Sequence, residues 1–189
     1  MRVFGISGSL RRGSFNTALL RHAGDVFEAE GAEFEIYEGL RDLPAYDEDA
    51  DVRDAPDAVT RIRAAVREAD AVFFATPEYN SSIPGVLKNA VDWLSRPSPA
   101  ESALRGKPVA VVGASAGVFG AVWAQAELRK VLGAAGARVI EGEVAVGRAM
   151  DRFDADGRLN DESLEEQLRE VVDDLLAEAD PKDSRKLAA

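Results

Sequence analysis

The run MRVFGISGSLRRGSFN, residues 1–16, carries three signals in direct succession. Arg2 to Ser7 is apolar enough for a buried strand. Residues 8–14 are small, hydroxylated and basic. From Phe15 onward apolar residues recur at helical spacing, with Leu19, Leu20, Ala23 and Phe27 on one face. Strand, loop and helix together make one βα unit, and the rest of the chain repeats that alternation.

A second strand, Glu33 to Tyr37, alternates in polarity, and an acidic loop fills 39–56. A helix is expected at 57–69. AVFFAT, 71–76, is apolar throughout, as a central strand of a parallel sheet must be. Pro84 suits the first turn of a helix reaching about residue 95, a position that needs no N–H donor. PVAVVGA, 108–114, reads as the fourth strand, and a helix at 119–132 is closed by Gly133. Residues 138–146 are the expected fifth strand. The last helix starts near Asn160, with Asp161 and Glu162 at the positive end of its dipole. Its apolar stripe is Leu164, Leu168, Val171, Leu175 and Leu176. From residue 181 a polar tail is expected to fray.

Five strands alternating with five helices predict a doubly wound α/β sheet in one domain, 1–180, with no internal repeat. Such sheets bind ligands beyond the carboxyl ends of their strands, at the topological switch point. The loops at 8–16, 77–82 and 115–120 therefore converge, and chemistry is expected there.

The chain has 189 residues, one His, no Cys and a net charge of −11. Without Cys there is no disulfide, thiolate or Cys-ligated metal site. A single imidazole, His22, excludes a His-rich metal centre. The acidic balance opposes a nucleic-acid surface, which needs a basic stripe, and docking to anionic lipid. No apolar run approaches the ~18 residues of a membrane span, and no export signal precedes the first strand, so a cytoplasmic location is expected. The acidic run 47–51 reads as a solvated loop without EF-hand spacing. His22 reads as a boundary residue of the first helix.

In the first loop, Ser9, Ser14 and Asn16 bring side-chain donors, Arg11 a guanidinium, and Gly8 and Gly13 a pliable backbone. A helix N-terminus with free N–H groups attracts an anion. One cap, Ser14 or Asn16, would satisfy the helix; the whole cluster exceeds what capping requires. The loop lacks GxGxxG and the Gly-Lys-Ser/Thr of a P-loop, so a terminal monophosphate fits best. In the second loop, Tyr79 offers a ring to cover a flat ligand, and Asn80 an amide. Glu78 either holds the loop or bonds a ligand hydroxyl; Pro77 and Asn80 also suit an ordinary turn. The small residues at 113–117 allow close backbone approach. Lys88 and Asp92 form an i, i+4 pair, and Trp93 belongs to the core or to a subunit contact.

GSLRRGSFN, 8–16, and PEYNSSIPGVLKNAVDWLSR, 77–96, resemble signatures of the NAD(P)H-dependent FMN reductases of flavodoxin-like fold. That group contains bacterial quinone and chromate reductases and related azoreductases, and the likeness covers about residues 2–132. The resemblance implies a five-stranded parallel sheet of order 2-1-3-4-5 with helices on both faces. It implies that Ser9, Arg11, Ser14 and Asn16 hold an FMN phosphate, with backbone help from Leu10, Phe15 and Thr17. Pro77, Glu78, Tyr79 and Asn80 would line the isoalloxazine, and Ser115 with Gly117 its pyrimidine end. No side chain acts as nucleophile or general base, and no metal is involved. FMN would pass electrons from NADPH or NADH to a quinone, azo compound, metal oxyanion or free flavin, in a homodimer or homotetramer. The helix with Lys88, Asp92 and Trp93 would join the subunit contact. After the fourth strand the family often shows more glycine and a later Arg, where this chain has Val118, Ala121 and Trp123. Two other readings stay open: a flavodoxin-like electron carrier that does not oxidise NAD(P)H, and a phosphate-ligand binder without flavin. Arg12 either meets a 2′-phosphate or is solvated.

Overall fold

A computed structural model describes residues 1–51 and 55–180. The expected tail from 181 lies outside the described residues. Six strands and five α-helices alternate: β1 (Arg2–Ser7), α1 (Phe15–Ala29), β2 (Glu33–Tyr37), α2 (Asp57–Glu68), β3 (Ala71–Thr76), α3 (Gly85–Leu94), β4 (Pro108–Ala114), α4 (Val122–Ala134), β5 (Arg138–Val139), β6 (Ala145–Val146) and α5 (Glu162–Ala179). All pairings are parallel, in the order β2-β1-β3-β4-β5, with β6 also on β4. This is the flavodoxin-like order, and the direction of winding reverses between β1 and β3.

The sheet forms because its central strands are apolar on both faces. Every residue of β3 and β4 is buried. Phe4, Ile6, Val72, Phe74, Val109 and Val111 pack on one side with α2, α3 and α4. Val3, Phe73, Ala75, Ala110 and Val112 pack on the other with α1 and α5. Alternate residues of one strand thus feed two cores.

The fifth strand is not continuous. Residues 138–146 touch β4 at both ends, Val109 facing Val139 and Gly113 facing Ala145, and part between them. The Arg129 guanidinium occupies the opening, donating to Val111 O at 2.9 Å and Gly142 O at 2.8 Å. A side-chain donor replaces ladder bonds there, which periodicity alone cannot show.

Helix α4 begins at Val122 rather than 119, after a turn with Gly120 and Ala121 both at positive φ, and runs through Gly133. Helix α5 is capped by Asp161, whose carboxylate accepts from Ser163 N–H and Leu164 N–H. The acidic loop is not wholly solvated. Asp51 is buried in a two-point pair with Arg63, at 2.8 and 2.7 Å, and Arg63 also donates to Trp93 O at 2.9 and 2.7 Å. Trp93 is fully buried and its indole donates to Pro44 O at 2.9 Å, so it is core and not part of a subunit contact. Lys88 and Asp92 pair at the surface as expected. His22 is buried rather than at a boundary, where α1 meets α5.

Candidate functional site

The carboxyl ends of β1, β3 and β4 lie level, Ser7 facing Ala75 and Thr76 facing Gly113. The loops leaving them enclose a pocket of about 370 Å³. Ser9, Arg11, Ser14, Phe15 and Asn16 line one end; Pro77, Glu78, Tyr79, Ala114, Ser115, Ala116 and Met150 line the other. A larger hollow of about 510 Å³ lies between β2 and α2, around Arg2, Glu33 and Glu68. It opens at the amino ends of the strands, where such sheets do not build sites.

The first loop is locked before it meets any ligand. Gly8 N–H donates to Ala75 O at 2.8 Å. A Cβ on Gly8 would stand 2.8 Å from the Leu87 side chain and 3.2 Å from the Pro77 ring, so a larger residue here would push on α3 and the second loop. Ser14 caps α1, its hydroxyl oxygen accepting from Thr17 N–H at 3.3 Å. The Thr17 hydroxyl bonds Ser7 Oγ at 2.9 Å. That leaves Phe15 N–H and Asn16 N–H without an acceptor among the described residues, at the positive end of a fifteen-residue helix. Arg11 stands exposed beside them, its guanidinium carbon 5.4 Å from the Phe15 ring centroid. Arg41 reaches in from the segment after β2 and donates to Leu10 O at 3.1 Å. Two free N–H groups, two hydroxyls and a guanidinium suit a phosphate monoester, and FMN carries one.

Asn16 sits in this loop but is spent on the fold. Its amide nitrogen donates to Ala114 O at 2.8 Å and its oxygen accepts from Ala114 N–H at 2.9 Å. The residue is buried, and the pair ties the start of α1 to the end of β4. One amide N–H of Asn16 remains for a ligand.

The second loop is a tight hairpin. Tyr79 and Ser82 exchange both backbone hydrogen bonds, at 3.0 and 3.1 Å, and Asn80 and Ser81 turn between them at φ of 53° and 59°. Both central residues lie in the left-handed region, as a type I′ turn requires. Tyr79 is half exposed at its edge and lines the pocket; Asn80 stands exposed on the turn and is not among the lining residues. Glu78 resolves its two options toward holding the structure. Its carboxylate accepts from Trp123 N–H at 3.1 Å and Ala124 N–H at 3.3 Å, capping an α4 whose own N-cap residue, Ala121, offers no side-chain oxygen.

The third loop is bound from beneath by residues 145–149. Ser115 N–H donates to Val146 O at 3.0 Å, Ala149 N–H to Ser115 O at 3.0 Å and Arg148 N–H to Gly117 O at 2.7 Å. Ser115 lines the pocket; Gly117 lies just outside the lining. Residues 145 and 146 fall in the expected fifth strand, but residues 147–150 and the place of the segment under the pocket were missed from sequence. The segment delivers Met150 to the pocket and Phe153 onto Phe15, rings 19° apart at 5.7 Å. The aromatic in FDADGRLN was the one available signal. All four described non-glycine residues with positive φ, Asn80, Ser81, Ala121 and Arg148, stand in the loops around this pocket. Strain of this kind collects at ligand sites. Among the described residues no group of three or more acidic or His side chains is arranged to hold a metal.

Residues 1–151, the span that contains all these loops, match the family model described as NADPH-dependent FMN reductase. The chain is 44% identical over 173 residues to an NAD(P)H-dependent FMN reductase of Pseudomonas aeruginosa, covering 91% of each. It is 40% identical over 159 residues to a quinone reductase of Pseudomonas putida, covering 84% of each. Among solved structures it resembles the flavoenzyme NAD(P)H:(acceptor) oxidoreductase FerB of Paracoccus denitrificans, with a TM-score of 0.85 at 36% identity over 94% of this chain and 96% of that one. A winding order, a phosphate-ready helix start and a sequence match that share the same residues leave one assignment: the chain belongs to the NADPH-dependent FMN reductase family, and with it to the flavin- and NAD(P)H-dependent oxidoreductases.

Proposed function

We propose that the protein binds FMN in the pocket between the β1, β3 and β4 loops and works as an NAD(P)H oxidoreductase with a small-molecule acceptor. The observation that carries this is the start of α1: two unsatisfied N–H groups, Ser9, Ser14 and Arg11 around one opening. Arg11 and the Phe15 and Asn16 N–H groups hold the phosphate, and the Ser9 and Ser14 hydroxyls donate to its remaining oxygens. Leu10 and Thr17 shape the cradle through the backbone. Pro77 and Glu78 form the wall, Tyr79 covers the ring, and the turn carrying Asn80 presents backbone groups to its edge. Ser115 and Gly117 bring backbone close to the far side. When bound, FMN would supply the redox chemistry between NADPH or NADH and the acceptor, in a ping-pong cycle. The side chains position and exclude water; none is a nucleophile or general base. Quinones, azo compounds, metal oxyanions and free flavin are the acceptor classes such a site serves. The functional unit is a homodimer or homotetramer in the cytoplasm; no helix among the described residues is long and apolar enough to cross a membrane.

Flavin-free protein titrated with FMN and with riboflavin tests the phosphate assignment. Arg11→Ala should weaken FMN by about 1.5–3 kcal/mol, the worth of a charge-assisted contact, and leave riboflavin unchanged. Equal loss for both flavins would overturn it.

A further inference from the structure

Six large apolar side chains stand exposed among the described residues: Met1, Tyr79, Val118, Phe119, Trp123 and Met150. Tyr79, Val118, Phe119 and Met150 stand in the loops after β3 and β4 and in the segment beneath them, and Trp123 in the first turn of α4. Tyr79 and Met150 line the pocket; Phe119 and Trp123 lie three and seven residues beyond the lining residue Ala116, and Val118 lines a neighbouring pocket. Single exposed apolar residues need no explanation, but a group at a cavity mouth marks a surface that something covers.

The arrangement is built rather than loose. The Phe119 and Trp123 rings meet edge to face, centroids 5.0 Å apart at 69°, with 61% and 49% of the residues exposed. Edge-to-face packing leaves ring surface free for a third partner. Gly120 and Ala121 hold the turn between them at φ of 61° and 64°, and a Cβ on Gly120 would lie 2.3 Å from the Ala145 carbonyl carbon. Glu78, a lining residue, fixes the Trp123 backbone from the pocket side.

Charge narrows what the shelf accepts. Residues 115–123 contain no ionisable side chain. Arg11, the one cation lining the pocket, stands at the α1 end. Arg148 and Arg152 line a neighbouring pocket with Asp161 and with Val118, the residue before Phe119, and do not line the pocket at α1. With a net charge of −11, the molecule repels anions at long range.

We propose that Phe119 and Trp123 are the acceptor-specificity residues of this site. They form a shelf that takes a neutral, planar aromatic acceptor with apolar substituents, an alkyl quinone, and disfavours oxyanions and sulfonated dyes. The inference rests on the oxidoreductase reading above, and its first test does not. The chain has two tryptophans, and Trp93 is fully buried, so emission from the exposed indole reports on the shelf in flavin-free protein. Titration with 2-methyl-1,4-naphthoquinone should quench that emission saturably, and naphthoquinone-4-sulfonate should bind at least about tenfold more weakly. Phe119→Ala should weaken the neutral quinone by about tenfold, as loss of one aromatic contact would. In Trp123→Leu the saturable quenching should vanish. In FMN-loaded protein, Trp123→Arg should lower the ratio of kcat/KM for the neutral over the sulfonated quinone by about tenfold or more. Purely collisional quenching, or equal affinity for the two quinones, would overturn the proposal. It would also fall if Trp123→Leu and Phe119→Ala lowered the mass seen by light scattering and weakened both quinones alike, for the shelf would then be an interface between copies. Failure of NAD(P)H to reduce the loaded protein would instead sink the oxidoreductase reading and leave the quenching result standing.

Discussion

Asn16 joins two parts of the chain that lie 98 residues apart, and it does so with both ends of one amide. Its partners are the N–H and C=O of Ala114, a buried residue at the end of β4. Asn16→Ala should therefore cost about 2–6 kcal/mol of unfolding free energy, one to three for each stranded group, read from urea denaturation. A loss below 1 kcal/mol would mean that water replaces the amide. The sequence marks Asn16 as one donor in a polar cluster and says nothing of Ala114, because long-range pairing leaves no local periodicity. Glu78 is the same case. A carboxylate beside an aromatic reads equally as a brace or as a ligand contact, and the sequence does not show that its N–H partners belong to a helix that begins 44 residues later.

At the scale of elements, β3 and β4 were legible because burial on both faces writes a continuous apolar run. The fifth strand was not: its middle is supplied by Arg129 from α4, and a side chain that substitutes for ladder bonds has no signature in the strand itself. The α1–α5 contact was half legible. Both apolar stripes are plain, but the His22–Glu165 hydrogen bond between them is not, nor the Arg169 contact to Glu165 at 2.7 Å. Burial pushes the Glu165 carboxyl up, yet the His22 ring and Arg169 outweigh it and hold it below its ordinary 4.5. A depressed carboxylate stabilises the fold above its unfolded value and loses that contribution as the pH falls through the folded one. The stability gap between the native chain and Glu165→Gln should accordingly narrow as the pH drops below about 4.5. A gap that stays constant down to pH 3, measured by denaturation across the range, would show that the α1–α5 contact does not depend on this charge.

For the molecule as a whole, the winding order brings three loops from distant parts of the sequence to one end of the sheet, and the strain in the backbone collects at that end. The two faces divide the work. α1 presents its N-terminus to the pocket and α5 backs it, while Leu87 of α3 packs against Gly8 of the first loop and the first N–H groups of α4 hold Glu78 of the second. The pocket location followed from the alternation of strands and helices alone; its floor at residues 145–150 needed the fold, since that segment lies outside every motif. The buried Asp51–Arg63 pair fastens the long acidic loop to α2 and α3. The central claim is that this one pocket holds FMN and receives hydride directly from a nicotinamide. It is tested by the visible spectrum of the FMN-loaded protein under nitrogen, before and after one equivalent of NADPH or NADH. Prompt bleaching of the flavin band with at least one of the two is the predicted result; a flavin that binds and stays oxidised with both would contradict the account and leave an electron carrier in its place.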